Sequence, residues 1–275
     1  MVASDFAQDL ARTYNGSDSW ERVEDYQRCF KYAAEHPQKG SYAVASALDL
    51  PRGTVRQWIE RGSKPDPVHA VETADELGWL DVPSKDATGR ALNLLVAGIY
   101  SGGSVSKSFV PTWTIDREPV ELLLSTALEQ AGSGAKRIDR MSDSRATELA
   151  PAEHASVLGR LLVTLGAPQG TKNESTVTDL PEYLESVERR VHVEFAKMYI
   201  LNRATSLEGK DTLQLNESRT TLYKRELAEF LSMVAGEPVR ATKNGVVVSA
   251  AAARALGFGR GDALREAIHE KRTSA

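Results

Sequence analysis

The sequence predicts an α+β protein in which an all-α N-terminal module precedes a larger domain built twice to one plan. Three observations carry this reading. Up to about residue 80 the apolar residues recur at three- and four-residue spacing, the mark of amphipathic helices. Residues 81–89, Asp-Val-Pro-Ser-Lys-Asp-Ala-Thr-Gly, are polar and read as a linker ending in a helix cap. From Ala91 onward apolar helices alternate with extended segments in the order α-β-α-β-α, and that order runs twice. A chain of 275 residues is long for one domain. We therefore place a loosely ordered leader at 1–20, an all-α domain at 21–84 and the duplicated domain at 85–275. Its halves cover about 90–175 and 176–260, followed by a basic C-terminal tail.

Each helix of the first module has its own signals. In ERVEDYQRCFKYAAEHP, Val23, Tyr26, Phe30 and Ala33 or Ala34 form one apolar face, and Pro37 and Gly40 end it. A short helix from Ser41 to Leu48 is expected to turn Ala43, Ala47 and Leu48 inward. Leu50-Pro51 breaks the chain, and Pro51 suits the first turn of a third helix, PRGTVRQWIERG. That helix faces the core with Val55, Trp58 and Ile59 and stops at Gly62 and Pro65. An amphipathic segment from Val68 to Leu80 closes the module.

Composition narrows the function. Hydrophobic and charged fractions of 41% and 26% are those of a globular chain able to bury its own core. A single cysteine, Cys29, excludes an internal disulfide and leaves no cysteine-based zinc cluster, so neither metal nor cofactor is expected. No apolar run approaches the ~18 residues that a membrane helix requires. The polar, acidic start lacks a secretory core, and the expected location is cytoplasmic, without a membrane partner. The net charge of −4 opposes nucleic-acid binding unless positive charge is concentrated locally.

It is concentrated in the third helix. From Arg52 to Lys64 there are four basic residues, Arg52, Arg56, Arg61 and Lys64, against one acid, Glu60. The segment GSYAVASALDLPRGTVRQWIERG resembles the helix-turn-helix of archaeal and bacterial regulators. That resemblance implies a recognition helix whose Arg52, Thr54, Arg56 and Gln57 reach base edges while Arg61 and Lys64 meet phosphates. Trp58 is expected in the core and His69 at the surface. A three- or four-helix bundle without DNA contact has the same spacing.

The duplicated domain has a resemblance of its own. LLVAGIYSGGSV resembles the signature helix of LAGLIDADG homing endonucleases, with Leu95 to Ile99 in its packing part and Gly103 to Val105 leading into the first strand. Small Ala97 and Gly98 are expected to let two such helices pack closely. Leu165-Gly166-Ala167-Pro168-Gln169-Gly170-Thr171-Lys172, then Leu180 to Leu184 and Glu194-Phe195, resemble the family's connection into its second signature helix. In an active member each signature helix ends in a carboxylate that holds divalent metal, but the matching positions here are Gly102 and Arg203. The resemblance therefore implies a scaffold without cleavage, for which Asp116, Glu118, Asp139 and Asp143 substitute only by residue type. It also implies two sheets lying on a duplex. Their expected contacts are Lys107, Trp113, Arg117, Lys136, Arg137 and Arg140, then Gln214, Asn216, Arg219, Arg240, Lys243 and Asn244.

The combined expectation is a non-catalytic, sequence-specific double-stranded DNA-binding protein, a transcriptional regulator acting as monomer or homodimer, with transcription machinery or another protein as a further partner. WhiA-type bacterial regulators join the same parts in the reverse order. A residual homing endonuclease and an RNA- or protein-binding assembly module are the alternatives.

Overall fold

The computed structural model describes residues 5–14, 18–81, 86–139, 147–170, 179–206 and 209–269. The chain divides into two compact units, Met1–Leu80 and Asp81–Ala275. Among the described residues no helix is long and apolar enough to cross a membrane.

The first unit is all-α: α1 (Asp5–Arg12), α2 (Ser19–Glu35), α3 (Ser41–Leu48), α4 (Arg52–Arg61) and α5 (Asp66–Glu76). The stretch expected as a loose leader contains α1, because Ala7, Leu10 and Ala11 form a fully buried stripe. On α2 the buried face is Val23, Tyr26 and Cys29, and Phe30 lies at its margin with its ring 4.5 Å from that of Tyr26. On α3 the inward residues are Ser41, Val44 and Ala45, with Leu48 half-buried, while Ala47 is exposed. The spacing i, i+3, i+4, i+7 selects that face over the expected Ala43 and Ala47. Asp49 closes α3 in the left-handed region (φ 55°), which a short polar side chain tolerates, and Gly62 closes α4 likewise (φ 64°). Between them only Asp49, Leu50 and Pro51 make the turn.

The second unit repeats one element order. The first copy runs α6 (Ala87–Ser101), β1 (Gly103–Val105), β2 (Pro111–Thr114), α7 (Glu118–Gln130), β3 (Ala135–Ile138), β4 (Glu148–Pro151) and α8 (Ala155–Thr164). After a 3-10 turn at Glu182–Glu185, the second runs α9 (Arg189–Arg203), β5 (Ala204–Ser206), β6 (Leu213–Asn216), α10 (Thr221–Ala235), β7 (Val239–Thr242), β8 (Gly245–Val248) and α11 (Ala250–Ala255). A final helix, α12 (Ala263–His269), follows. The expected order α-β-α-β-α is thereby refined: each β is an antiparallel pair of short strands. The two four-stranded sheets have corresponding orders, β1-β2-β4-β3 and β5-β6-β8-β7. The register corresponds as well, Gly103 opposite Trp113 and Ala204 opposite Leu215.

The long helices α6 and α9 pack against each other and bury Leu92, Leu95, Val96 and Ile99 with Phe195, Met198 and Tyr199. At the edge of this contact Arg90 Nε donates to both carboxylate oxygens of Glu194 (3.0 and 3.2 Å). Gly98 does not serve the helix pair as expected. A Cβ there would meet Trp113 and Leu124 at 2.7–2.9 Å, so the glycine makes room for the sheet and α7. Gly102 is the one against α9, where a Cβ would lie 2.6 Å from the Asn202 side chain. The β7–β8 hairpin turns at Lys243-Asn244, since Thr242 and Gly245 are paired. Gly245 is needed there because a Cβ would strike the Leu215 carbonyl at 2.0 Å.

Candidate nucleic-acid interface

Helix α4 presents its polar residues on one outward half. Arg52, Arg56, Gln57 and Arg61 are exposed and Thr54 is half-buried, while Val55 and Trp58 are buried. Trp58 belongs to the core, its ring edge-on to Tyr26 at 5.4 Å. His69 is exposed. Two of the arginines, Arg52 and Arg56, are already engaged. Arg52 lies over the ring of Tyr42, 5.1 Å from its centroid. Arg56 Nε donates to Glu60 Oε2 at 3.0 Å, and Ser41 Oγ donates to Glu60 Oε1 at 2.5 Å. Those two bonds hold the Glu60 carboxyl below the usual glutamate range, the serine contributing most. Lys64 is ion-paired to Glu72 on α5. Exposed pairs of this kind are worth at most about 1 kcal/mol, so a phosphate can displace them at little cost.

In the second unit the ends of α6 and α9 lie side by side. Asn202 Nδ2 donates to Ser101 Oγ at 2.9 Å, and by strand register Ser101 and Asn202 hold equivalent positions. Gly102 and Arg203 are therefore equivalent too. The Arg203 side chain is 36% exposed and lies 4.0 Å from Glu217, whose side chain is 1% exposed. Among the described residues no group of three or more His, Cys, Asp or Glu is arranged around a common metal position.

Two arginines among the expected duplex contacts are removed by burial. Arg117 is 3% exposed and Arg219 is 1% exposed, so neither reaches a ligand outside the fold. Each lies four residues beyond an equivalent strand residue, Trp113 or Leu215, and each crosses to the opposite half. Arg117 donates to the carbonyls of Leu201 and Ala204, the latter at 2.9 Å, and Arg219 donates to the carbonyl of Tyr100. Tyr100 and Leu201 are equivalent, so each long helix has its C-terminal carbonyls capped by an arginine of the other half. A cation there satisfies orphan carbonyls and opposes the negative end of the helix dipole. Burial lowers the Arg117 pKa from its ordinary value. Arg219 is better supported, with Glu217 at 3.5 Å, the Tyr199 hydroxyl at 3.2 Å and the Tyr223 ring centroid at 4.4 Å.

The remaining candidates sort by sheet face. Trp113 is fully buried and its Nε1 donates to the Leu95 carbonyl at 3.1 Å, which places it in the core. Arg137 is paired through Leu149 with Trp113 and so sits on the helix side, ion-paired to Glu121 of α7 and to Asp139. Its neighbour on the strand, Lys136, lies on the opposite, more open face, where Ser104 pairs with Thr112 and the buried Ala150 with Lys136, and Ser104 and Lys136 are exposed. The corresponding row is Thr205–Gln214–Val247–Arg240. Each open row ends in a cation on its edge strand, Lys136 or Arg240. Asn216 shares the open face with Gln214 and Arg240. Lys107, Lys243 and Asn244 are exposed in hairpin turns. Arg140 and Asp143, like Lys172, lie outside the described residues.

Sequence reasoning missed Ser41, Tyr42 and Glu217. With Ser41, Val44, Ala45 and Leu48 inward, helical periodicity alone turns residue 42 outward, and that signal could have found Tyr42. No protein-family model matches the chain, and no curated protein matches it.

Proposed function

We propose that the chain is a sequence-specific double-stranded DNA-binding protein without nuclease activity, acting as a transcriptional regulator. In this reading α3 and α4 are a helix-turn-helix whose α4 enters the major groove, and the second unit is a LAGLIDADG-type scaffold that has lost its acids. The observation that carries it is the outward half of α4, where Arg52, Arg56, Gln57 and Arg61 stand exposed together on a helix joined to α3 by a three-residue turn. Arginine and glutamine offer the paired hydrogen bonds that read guanine and adenine edges. The second unit contributes the matched open rows ending in Lys136 and Arg240, which suit phosphate contact. The absence of cleavage follows from residue chemistry: at the equivalent helix ends, Gly102 has no ligating side chain and Arg203 repels a divalent cation.

The test is binding of a pool of genomic duplex fragments at low salt, followed by salt titration. The expected result is retention of a subset of fragments with affinity falling steeply as salt rises. No duplex binding, or a preference for RNA in direct competition, overturns the reading. Nicking of plasmid with magnesium or manganese that stops on chelation overturns the non-catalytic part.

A further inference from the structure

The first two residues of α3 both reach α4, Tyr42 touching Arg52 and Ser41 touching Glu60, the partner of Arg56. Tyr42 is 66% exposed, an unusual position for an aromatic ring, and its face carries the Arg52 guanidinium 5.1 Å from the centroid. Stacking of this kind is weak at an exposed site. That is little for stability but enough to bias the rotamers of a long side chain. Ser41 is buried (6% exposed), and its hydroxyl fixes one oxygen of Glu60 while the other receives Arg56 Nε. The bond to Glu60 is made through Nε, which leaves terminal N–H donors of Arg56 for a further acceptor. Glu60 is the one acid of the segment Arg52 to Lys64, and it orients an arginine as well as diluting the charge. The result is a pair of preset guanidinium groups, one turn apart on the helix, both held from the same end of α3. An unrestrained arginine reads a base edge only after losing rotamer freedom, whereas one already held loses less.

Building on the duplex-reading function above, we propose that Ser41 and Tyr42 are positioning residues that set the base preference of α4. Tyr42 acts by stacking on Arg52, and Ser41 by holding Glu60 against Arg56. The affected quantity is discrimination between sequences. Attraction to the duplex as such comes from charge, which these residues do not alter.

The experiment selects bound duplexes from a randomised pool with the full wild-type chain. It then measures the affinity ratio between the selected site and a scrambled duplex, and the salt slope on the scrambled duplex. Tyr42→Ala, Tyr42→Phe and Ser41→Ala are compared with wild type, each checked by thermal unfolding. A bidentate base contact discriminates by about 1–3 kcal/mol, so loosening its arginine is expected to lower the ratio about five- to tenfold in Tyr42→Ala and Ser41→Ala. Scrambled-duplex affinity and salt slope stay at wild-type values, and Tyr42→Phe, which keeps the ring, keeps the ratio. Unchanged ratios in the alanine variants overturn the proposal while leaving duplex binding intact, and so does a loss on both duplexes in parallel. A wild-type chain that binds no duplex overturns the underlying function and this proposal with it.

Discussion

The two halves of the second unit share element order, strand order and register, yet they fill the layer between long helix and sheet from opposite sides. In the first half the helix contributes Gly98 and the strand contributes Trp113, whose ring occupies the space a larger helix residue would take. In the second half the equivalent helix position is Tyr199 and the equivalent strand position is Leu215, both fully buried. One strand step further, Ile115 of the first half corresponds to Glu217 of the second, which accepts the Tyr199 hydroxyl at 2.6 Å. A core tolerates such exchanges when total volume and pattern are kept. The repeated backbone plan therefore rests on helix length, strand register and summed volume, and this is why the halves share so few residues.

Breaking the buried polar set should produce the largest effect. Arg219→Met removes the nearer and fully buried cation of Glu217, leaving the half-exposed Arg203 at 4.0 Å, and should cost about 3–5 kcal/mol in denaturant unfolding. Adding Glu217→Gln should recover part of that loss; no recovery would mean the pair is not what the second half depends on. Arg117→Met, at the equivalent position, removes two carbonyl contacts but strands no acid, and should cost less, about 1–3 kcal/mol. Equal losses at the two arginines would erase the contrast between the halves.

The volume exchange is sharpened by Gly98→Ala, whose methyl would press on Trp113 and Leu124 and should cost about 1–3 kcal/mol. In a double-mutant cycle with Trp113→Leu the penalty should shrink, with coupling of about 0.5–3 kcal/mol, and additive effects would contradict the packing described. If the open rows of the two sheets meet a duplex alike, Lys136→Ala and Arg240→Ala should each lower the salt slope by about 1 with folding unchanged. A slope altered by only one of them would confine contact to one sheet.

The smallest effect belongs to Glu226 of α10, whose carboxyl accepts from the Leu180 amide at 2.9 Å. Burial raises its pKa, partly opposed by that amide. An acid whose folded pKa is raised favours folding most when protonated. Its contribution is therefore full below the ordinary glutamate value of about 4.3 and is lost as pH rises through the folded value. Glu226→Gln keeps an acceptor for the amide, so it should match wild type below about pH 4 and become slightly more stable towards neutrality. A difference that grows on acidification would reverse the sign and contradict the burial.

Legibility varied with length. Helices of two turns or more complete their period, so α2, α4, α6 and α9 could be read from spacing and from Gly62 and Pro65. Strands β4 and β5 hold four and three residues, too few for alternation to declare itself. On α4 Arg52, Arg56, Gln57 and Arg61 are exposed and Thr54 is half-buried, because a helix's outward face follows from its inward one. In the sheets parity sorted them differently. Lys136 and Arg137 are adjacent, so only one of them can share the open face with Thr112, and the pairing partner on β4 decides which.

By itself the sequence determined the α+β class, the helical first module, the concentration of positive charge on α4 and the twofold recurrence of the larger unit, since each depends on local period and residue type. Which arginines are exposed was decided only by tertiary structure. Arg117 and Arg219 look like surface cations until two helix ends from opposite halves bring their unpaired carbonyls within reach. A charge is buried only where distant segments of chain supply its partners.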